Sequence, residues 1–162
     1  MRKIFIVLPM LLFLMPASGF SQTDGILKSD MIPYRIEKDA KGKTVYIKTK
    51  TAAPGDKIEY RIVYHNTGDE SLSSLVVNGP VPANTRYVGG SAAGNVPYEL
   101  RVSIDRGATW EKEPIVRIKK MPDGTQKKII VSPDQYTHIR WISQKNVEPG
   151  EIQEFRYQIF IK

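Results

Sequence analysis

The sequence predicts an all-β sandwich of about eight to nine antiparallel strands. Apolar and polar residues alternate in many short segments, and turn-forming residues recur roughly every 8–12 positions. After residue 21 we find no convincing apolar stripe at helical spacing. A length of 162 residues suits one domain. We therefore expect residues 31–162 to form a single sandwich.

The first 21 residues are predicted to be a cleavable signal peptide. Arg2 and Lys3 give a positive start, residues 4–15 are almost entirely apolar, and residues 16–21 include the small residues that signal peptidases prefer. This apolar run is shorter than the roughly 20 residues that span a bilayer. We expect export to the periplasm or the cell exterior, with no transmembrane span in the mature chain. Residues 22–30 carry few apolar positions and are predicted to be a short, loose segment.

The clearest predicted strand is the segment 57–65, between Pro54-Gly55-Asp56 and Asn66-Thr67-Gly68-Asp69. Alternation assigns one face to a core and the other to solvent. The core set is Ile58, Tyr60, Ile62 and Tyr64, and the solvent set is Lys57, Glu59, Arg61 and His65. The other candidate strands are 44–51, 74–78, 86–88, 100–104, 115–118, 128–131, 137–142 and 155–161.

The last candidate strand repeats the construction of the segment 57–65. Pro149-Gly150-Glu151 precedes it, as Pro54-Gly55-Asp56 precedes the earlier strand. An internal duplication or a shared turn requirement would explain the match. Because this strand ends the chain, it is a candidate sheet edge that could pair with a partner. Hairpin turns are predicted at 39–43 and at 121–124, where Asp123-Gly124 is a favoured turn pair.

Composition excludes several kinds of chemistry. The chain has no cysteine, which excludes disulfides, thiolate metal ligands, a cysteine nucleophile and a lipoprotein anchor. No Gly-x-Ser-x-Gly elbow and no phosphate-binding glycine loop occurs. The two histidines, His65 and His138, show no metal-ligand spacing. We expect no catalytic, cofactor-binding or metal site, and predict that the protein is not an enzyme.

Three segments in order resemble one family of exported bacterial proteins. They are residues 53–69, residues 75–91 with Pro80-Val81-Pro82 and Tyr87-Val88, and residues 148–161. Together they resemble the conserved repeat called domain of unknown function eleven, in a single copy. The resemblance implies an immunoglobulin- or prealbumin-like β-sandwich and assigns no catalytic residues. Asn78 stands where this family often has an aspartate.

Residues 103–110 fit the Asp-box pattern Ser-x-Asp-x-Gly-x-Thr-Trp, which resembles a hairpin turn of sialidase-type propellers. Asp105 is expected to accept backbone hydrogen bonds, Gly107 to permit positive φ, and Trp110 to pack over the turn. One such box cannot build a propeller of four or more blades. We interpret it as a structural turn, with glycoside hydrolysis around Asp105 as a minor hypothesis.

A cluster of cations surrounds the predicted 121–124 turn and is the one candidate ligand site in the sequence. On a hairpin it could attract anionic glycans or lipid headgroups, or it could be a solvated surface whose lysines discourage edge pairing. Nucleic acid is not expected for an exported chain without interleaved aromatic residues. The cluster comprises Lys112, Arg117, Lys119, Lys120, Lys127 and Lys128.

The leading functional hypothesis is a structural or protein-interaction module of the bacterial cell envelope, with an envelope or extracellular protein as its partner. The alternative is a periplasmic or extracellular protein that binds anionic glycan or lipid headgroups through the basic hairpin. Fold class alone does not decide between them, because function depends on sites placed on folds.

Overall fold

The computed structural model describes residues 25–162, which form an all-β structure with one short 3₁₀ turn, Pro133–Gln135. The strands are β1 (Leu27–Lys38), β2 (Thr44–Lys48), β3 (Lys57–Asn66), β4 (Val76–Pro80), β5 (Thr85–Tyr87), β6 (Ala93–Gly94), β7 (Tyr98–Ser103), β8 (Val116–Lys120), β9 (Gln126–Ile130), β10 (His138–Ser143) and β11 (Ile152–Ile161).

The strands form two packed sheets and a separate ribbon, and every strand pair is antiparallel. The larger sheet has the order β2-β1-β3-β11-β5, with β6 also paired to β11. The smaller sheet has the order β4-β10-β7, and β8 pairs only with β9. The arrangement is consistent with a β-sandwich.

The core lies between the two sheets and is centred on Trp141. The Trp141 ring lies 5.9 Å from that of Phe155 and 5.8 Å from that of Tyr157, measured between centroids. Ile58 and Ile62 of β3 and Ile159 of β11 are buried in the same cluster. Aromatic rings of this size bury large apolar areas, which is how a chain without disulfides stabilises itself. The predicted core faces of β3 and β11 are confirmed.

The two Pro-Gly-acidic turns stabilise each other's strands. The Gly55 N–H donates to the Ile161 carbonyl at 3.0 Å, and the Gly150 N–H donates to the Asn66 carbonyl at 2.9 Å. Both glycines have positive φ, +91° and +73°, which favours glycine. Because β3 and β11 are antiparallel neighbours, each turn meets the end of the opposite strand. Both turns therefore need a glycine with positive φ whose N–H reaches the opposite strand, which accounts for their similarity.

Two expectations about the chain ends require correction. Residues 27–30 are not a loose segment, because they belong to β1 and pair with β3 from Leu27 onward. The last strand is not a sheet edge, because β11 lies between β3 on one side and β5 and β6 on the other. Both outcomes depend on long-range pairing. Residues 25–162 contain two strands that the sequence does not predict, β1 and the short β6.

Glu59 was expected to face solvent, but only 2% of it is exposed. Its carboxylate accepts hydrogen bonds from Arg61 Nε at 2.8 Å and from Gln158 Nε2 at 2.9 Å. The Arg61 guanidinium lies 4.5 Å from the ring centroid of Tyr34 and 4.9 Å from that of Tyr46. These side chains cover the outer face of β3, so the strand is enclosed on both sides. A buried carboxylate is tolerated here because it is paired and hydrogen-bonded.

The predicted signal peptide lies outside the described residues. Within residues 25–162, no helix is both long and apolar enough to cross a bilayer.

Candidate interaction surface

The hairpin formed by β8 and β9 projects from an anchored base. Ile115 and Val131 are buried and precede and follow the two strands, and the Val131 N–H donates to the Ile115 carbonyl at 2.9 Å. The Tyr136 hydroxyl accepts a hydrogen bond from the Ile115 N–H at 3.2 Å, and its ring stacks on Tyr87. The base of the hairpin is therefore part of the core.

Beyond that base, every residue of β8 and β9 is exposed. Ile118 is 66% exposed and Ile130 is 64% exposed. Strands of this length extend about 17 Å at roughly 3.4 Å per residue. We call residues 116–130 the basic ribbon. Neither of its faces is covered by another part of residues 25–162, although both faces carry apolar side chains.

The tip of the basic ribbon is a compact turn, as predicted. The Met121 N–H donates to the Thr125 carbonyl at 2.8 Å, and Gly124 has a φ of +84°. The Asp123 carboxylate accepts hydrogen bonds from the Thr125 hydroxyl at 2.6 Å and from its N–H at 2.9 Å. These bonds lower the pKa of Asp123, and the bond from the Thr125 hydroxyl contributes most.

The strand register divides the predicted cations between two faces, because successive side chains point to opposite sides. Lys119 and Lys127 are directly opposite each other on one face. The first face carries Arg117, Lys119, Lys127 and Ile129, and the second carries Val116, Ile118, Lys120, Gln126, Lys128 and Ile130. The predicted cations therefore do not converge on one point.

Two of the six predicted cations differ from the rest. Arg117 binds Glu111 with two hydrogen bonds, Nη1 to Oε2 at 2.7 Å and Nη2 to Oε1 at 2.5 Å. This pairing raises the pKa of Arg117 and lowers that of Glu111. Lys112 is exposed, but it precedes the base of the ribbon. The cations available on the ribbon are therefore Lys119, Lys120, Lys127 and Lys128, which make no ion pair within residues 25–162.

The facing lysines make the basic ribbon electrostatically unfavourable in isolation. Like charges directly opposite on an antiparallel pair destabilise it, and a two-stranded hairpin is only marginally stable by itself. Lys119 and Lys127 are such an opposed pair, and β8 and β9 form such a two-stranded hairpin. A negatively charged group on this face would remove the repulsion, and the apolar side chain of Ile129 lies on the same face. The geometry therefore favours an anionic contact.

The Asp-box residues form the structural turn that the motif predicts. The Asp105 carboxylate accepts hydrogen bonds from the Thr109 hydroxyl at 2.6 Å, the Thr109 N–H at 2.9 Å and the Ser103 hydroxyl at 2.7 Å. These bonds lower the pKa of Asp105 to about 2, and the bond from the Thr109 hydroxyl contributes most. Gly107 has a φ of +87° and lies under Trp110. Asp105 is thus ionised at neutral pH, and its carboxylate oxygens accept hydrogen bonds that stabilise the turn.

Neither histidine is placed for metal binding with its neighbours. His138 lies edge-on to Trp110, with the centroids 6.3 Å apart, while His65 lies at the far end of β3 in the other sheet. No group of three or more His, Asp or Glu side chains among residues 25–162 is arranged to hold a metal ion.

The apolar side chains of the basic ribbon were missed as functional candidates. Val116, Ile118, Ile129 and Ile130 were assigned to ordinary strands, whereas the structure leaves them exposed. The available signal was that two apolar segments flank a lysine-rich turn. Sequence does not reveal that none of the sheets formed by residues 25–162 covers them.

Comparison of the chain with family models, with curated proteins and with solved structures finds no match. The resemblance to domain of unknown function eleven therefore stays a prediction.

Proposed function

We propose that this protein is a non-enzymatic interaction module of the bacterial cell envelope, and that the basic ribbon binds an acidic partner protein. The observation that carries the proposal is the exposure of Ile118 and Ile130 on a ribbon that also carries four lysines without an ion-pair partner in the described part of the chain. Exposed apolar side chains within a polar surround are typical of protein interaction sites.

The base of the ribbon supports this role. Ile115 and Val131 fix the ribbon to the core, so the contact residues are presented from a defined position. Both outer edges of the ribbon also carry main-chain groups that can pair with an extended partner. A partner would thus gain apolar contact, hydrogen bonds and charge pairing from one element.

The negative charge of the partner follows from the lysines. Charge complementarity speeds association and excludes basic partners. Lys119 and Lys127 repel each other until an acidic group lies between or beside them. Export, an envelope location and the absence of catalysis enter the proposal from the predicted signal peptide and the family resemblance. The use of Asp105 as a turn anchor also supports a non-catalytic role.

A second candidate function is binding to anionic lipid headgroups or glycans. It is favoured by the second face of the ribbon, where Lys120 and Lys128 share a side with Val116, Ile118 and Ile130. Apolar groups beside lysines suit the interface of an anionic membrane, where each basic residue contributes about 1 kcal/mol.

The test compares two charge reversals of equal size. Lys119→Glu with Lys127→Glu alters the ribbon, and Lys28→Glu with Lys162→Glu alters exposed lysines elsewhere. We expect the unchanged protein and the control variant to retain an acidic protein from envelope extract, and the ribbon variant to lose it. Retention should fall at about 1 M salt, where the Debye length is about 3 Å.

Equal retention by both variants would overturn the proposal. The second candidate is tested with phosphatidylcholine vesicles, with and without phosphatidylglycerol. Salt-sensitive binding to the anionic vesicles that is lost in a Lys120→Glu, Lys128→Glu variant and kept in the control variant, with no protein retained, would replace the first function by the second.

A further inference from the structure

The larger sheet extends beyond the smaller one, and the overhanging part is formed by β1 and β2. Neither strand contains a buried residue, whereas β3 and β11 next to them are buried against the smaller sheet. On the inner side, Met31 pairs with Ile62 of β3, and Ile47 of β2 pairs with Arg35 of β1. Met31 is 37% exposed and Ile47 is 40% exposed. The same side also carries the ion pair of Arg35 and Glu37, opposite Ile47 and Val45, so the overhang has a mixed inner side on which Met31 and Ile47 stay exposed among residues 25–162.

A shallow cavity of about 100 Å³ continues the same inner side. Its lining includes Pro33, Thr49, Ile58 and Tyr60. Pro33 is the partner of Tyr60 across β1 and β3, so the cavity adjoins the overhang.

The register of β1 and β2 shows which main-chain groups are available at the free edge. The Thr49 N–H donates to the Pro33 carbonyl, and the Asp39 N–H donates to the Lys43 carbonyl. Hydrogen-bonded and non-hydrogen-bonded pairs alternate along an antiparallel ladder. Val45 and Ile47 therefore bond to β1. The outward groups belong to Thr44, Tyr46 and Lys48, and β2 is the last strand of its sheet in the described residues.

The edge is strongly basic. Residues 38–50 contain five lysines and one acidic residue, Asp39. Lys48 points to the outer side with Thr44 and Tyr46, opposite to Val45 and Ile47. The five lysines are Lys38, Lys41, Lys43, Lys48 and Lys50. A strand added here would meet positive charge on its outer side and apolar side chains on its inner side.

We infer that the free edge of β2 binds an extended acidic segment of another protein, in which apolar and acidic residues alternate. Main-chain bonds to Thr44, Tyr46 and Lys48 would give affinity, and the alternating side chains would give specificity. A second copy of this chain is the wrong occupant, because its β2 would bring the same five lysines to the contact. This surface lies on a different sheet from the basic ribbon, so the inference does not rest on the proposed function.

The experiment measures binding of a synthetic peptide that alternates valine and glutamate over the length of β2. Thr44→Pro removes an outward N–H without cutting the β1–β2 ladder, and Thr44→Val is its matched control with the N–H intact. We expect Thr44→Pro, and Lys48→Glu with Lys50→Glu, to raise Kd roughly tenfold or more, equivalent to about 1.4 kcal/mol. Thr44→Val should bind as the unchanged protein does.

Amide hydrogen exchange provides a readout that is independent of affinity. We expect the peptide to slow exchange at Tyr46 and Lys48, while Val45 and Ile47, already bonded to β1, change little. A block peptide of the same composition, with the valines and glutamates separated, should not protect them. Protection by the block peptide, unchanged affinity in Thr44→Pro, or protection that appears on raising protein concentration alone would overturn the inference.

Discussion

The strand pair β3–β11 and the basic ribbon have the same local pattern of alternating side chains, but the first is buried and the second is exposed. Both are antiparallel pairs that begin or end at glycine turns and carry alternating apolar side chains. Ile58 and Ile159 are buried against the smaller sheet, whereas Ile118 and Ile130 are exposed. The comparison shows that local alternation makes a strand, while the presence of an opposing sheet decides whether its apolar face stabilises the fold or stays available for a partner.

The largest expected contrast is between Trp141→Ala and Ile118→Ala. Removing the Trp141 ring leaves a cavity against Phe155 and Tyr157, and should lower the free energy of unfolding by about 3–5 kcal/mol. Ile118→Ala should change it by no more than about 0.5 kcal/mol, because the side chain is exposed. Urea denaturation of both variants measures the contrast. A loss above about 2 kcal/mol for Ile118→Ala would mean that the ribbon packs on the sandwich.

A somewhat smaller effect is expected at the boundary between the two regions. Ile115→Ala removes a fully buried side chain at the base of the ribbon and should cost about 2–4 kcal/mol. Ile129→Ala, on the ribbon itself, is the matched control and should cost little. Equal destabilisation by the two variants would show that the base and the ribbon form one packed unit, which would contradict a ribbon that stands apart from the core.

The smallest effect expected is on acid stability, and it compares two Asp–Thr turns. Asp105 has a pKa of about 2, below its unfolded value near 3.9, so its contribution to stability is complete above about pH 4 and is lost as the pH falls through about 2. Asp105→Asn should flatten the pH dependence of unfolding over that interval. Asp123→Asn, at the ribbon tip, should flatten it less, because the Asp123 carboxylate accepts hydrogen bonds from Thr125, whereas Asp105 accepts bonds from both Thr109 and Ser103. The reverse result would contradict the structural role of the Asp-box.

The parts of the fold that sequence predicted are those with local causes. The core faces of β3 and β11 follow from strict alternation, and the 121–124 turn follows from Asp123-Gly124. β1 is not predicted as a strand, and its first four residues are predicted to be loose, because Ser29, Asp30 and Pro33 interrupt its apolar positions. Its stability comes from pairing with β3, which alternation within β1 does not reveal.

For the candidate surfaces, sequence predicted which charged residues are present but not how they are arranged. Sequence identified the cations of the ribbon, but the pairing of Arg117 with Glu111 and the opposition of Lys119 to Lys127 require the register. Burial of Glu59 likewise depends on Arg61 and Gln158 meeting it from two strands. Long-range pairing therefore decides which charges are already satisfied and which remain for a partner.

The most direct test of the contact role is site-specific photo-crosslinking in the intact envelope. A photoreactive residue replaces Ile129, which lies on the same face of the ribbon as Lys119 and Lys127, and for comparison Ile152, another exposed isoleucine at the start of β11. We expect one acidic protein to be crosslinked from position 129 and not from position 152, and the crosslink to be lost when Lys119 and Lys127 are changed to glutamate. The same crosslinks from both positions, or none that depends on the lysines, would contradict it.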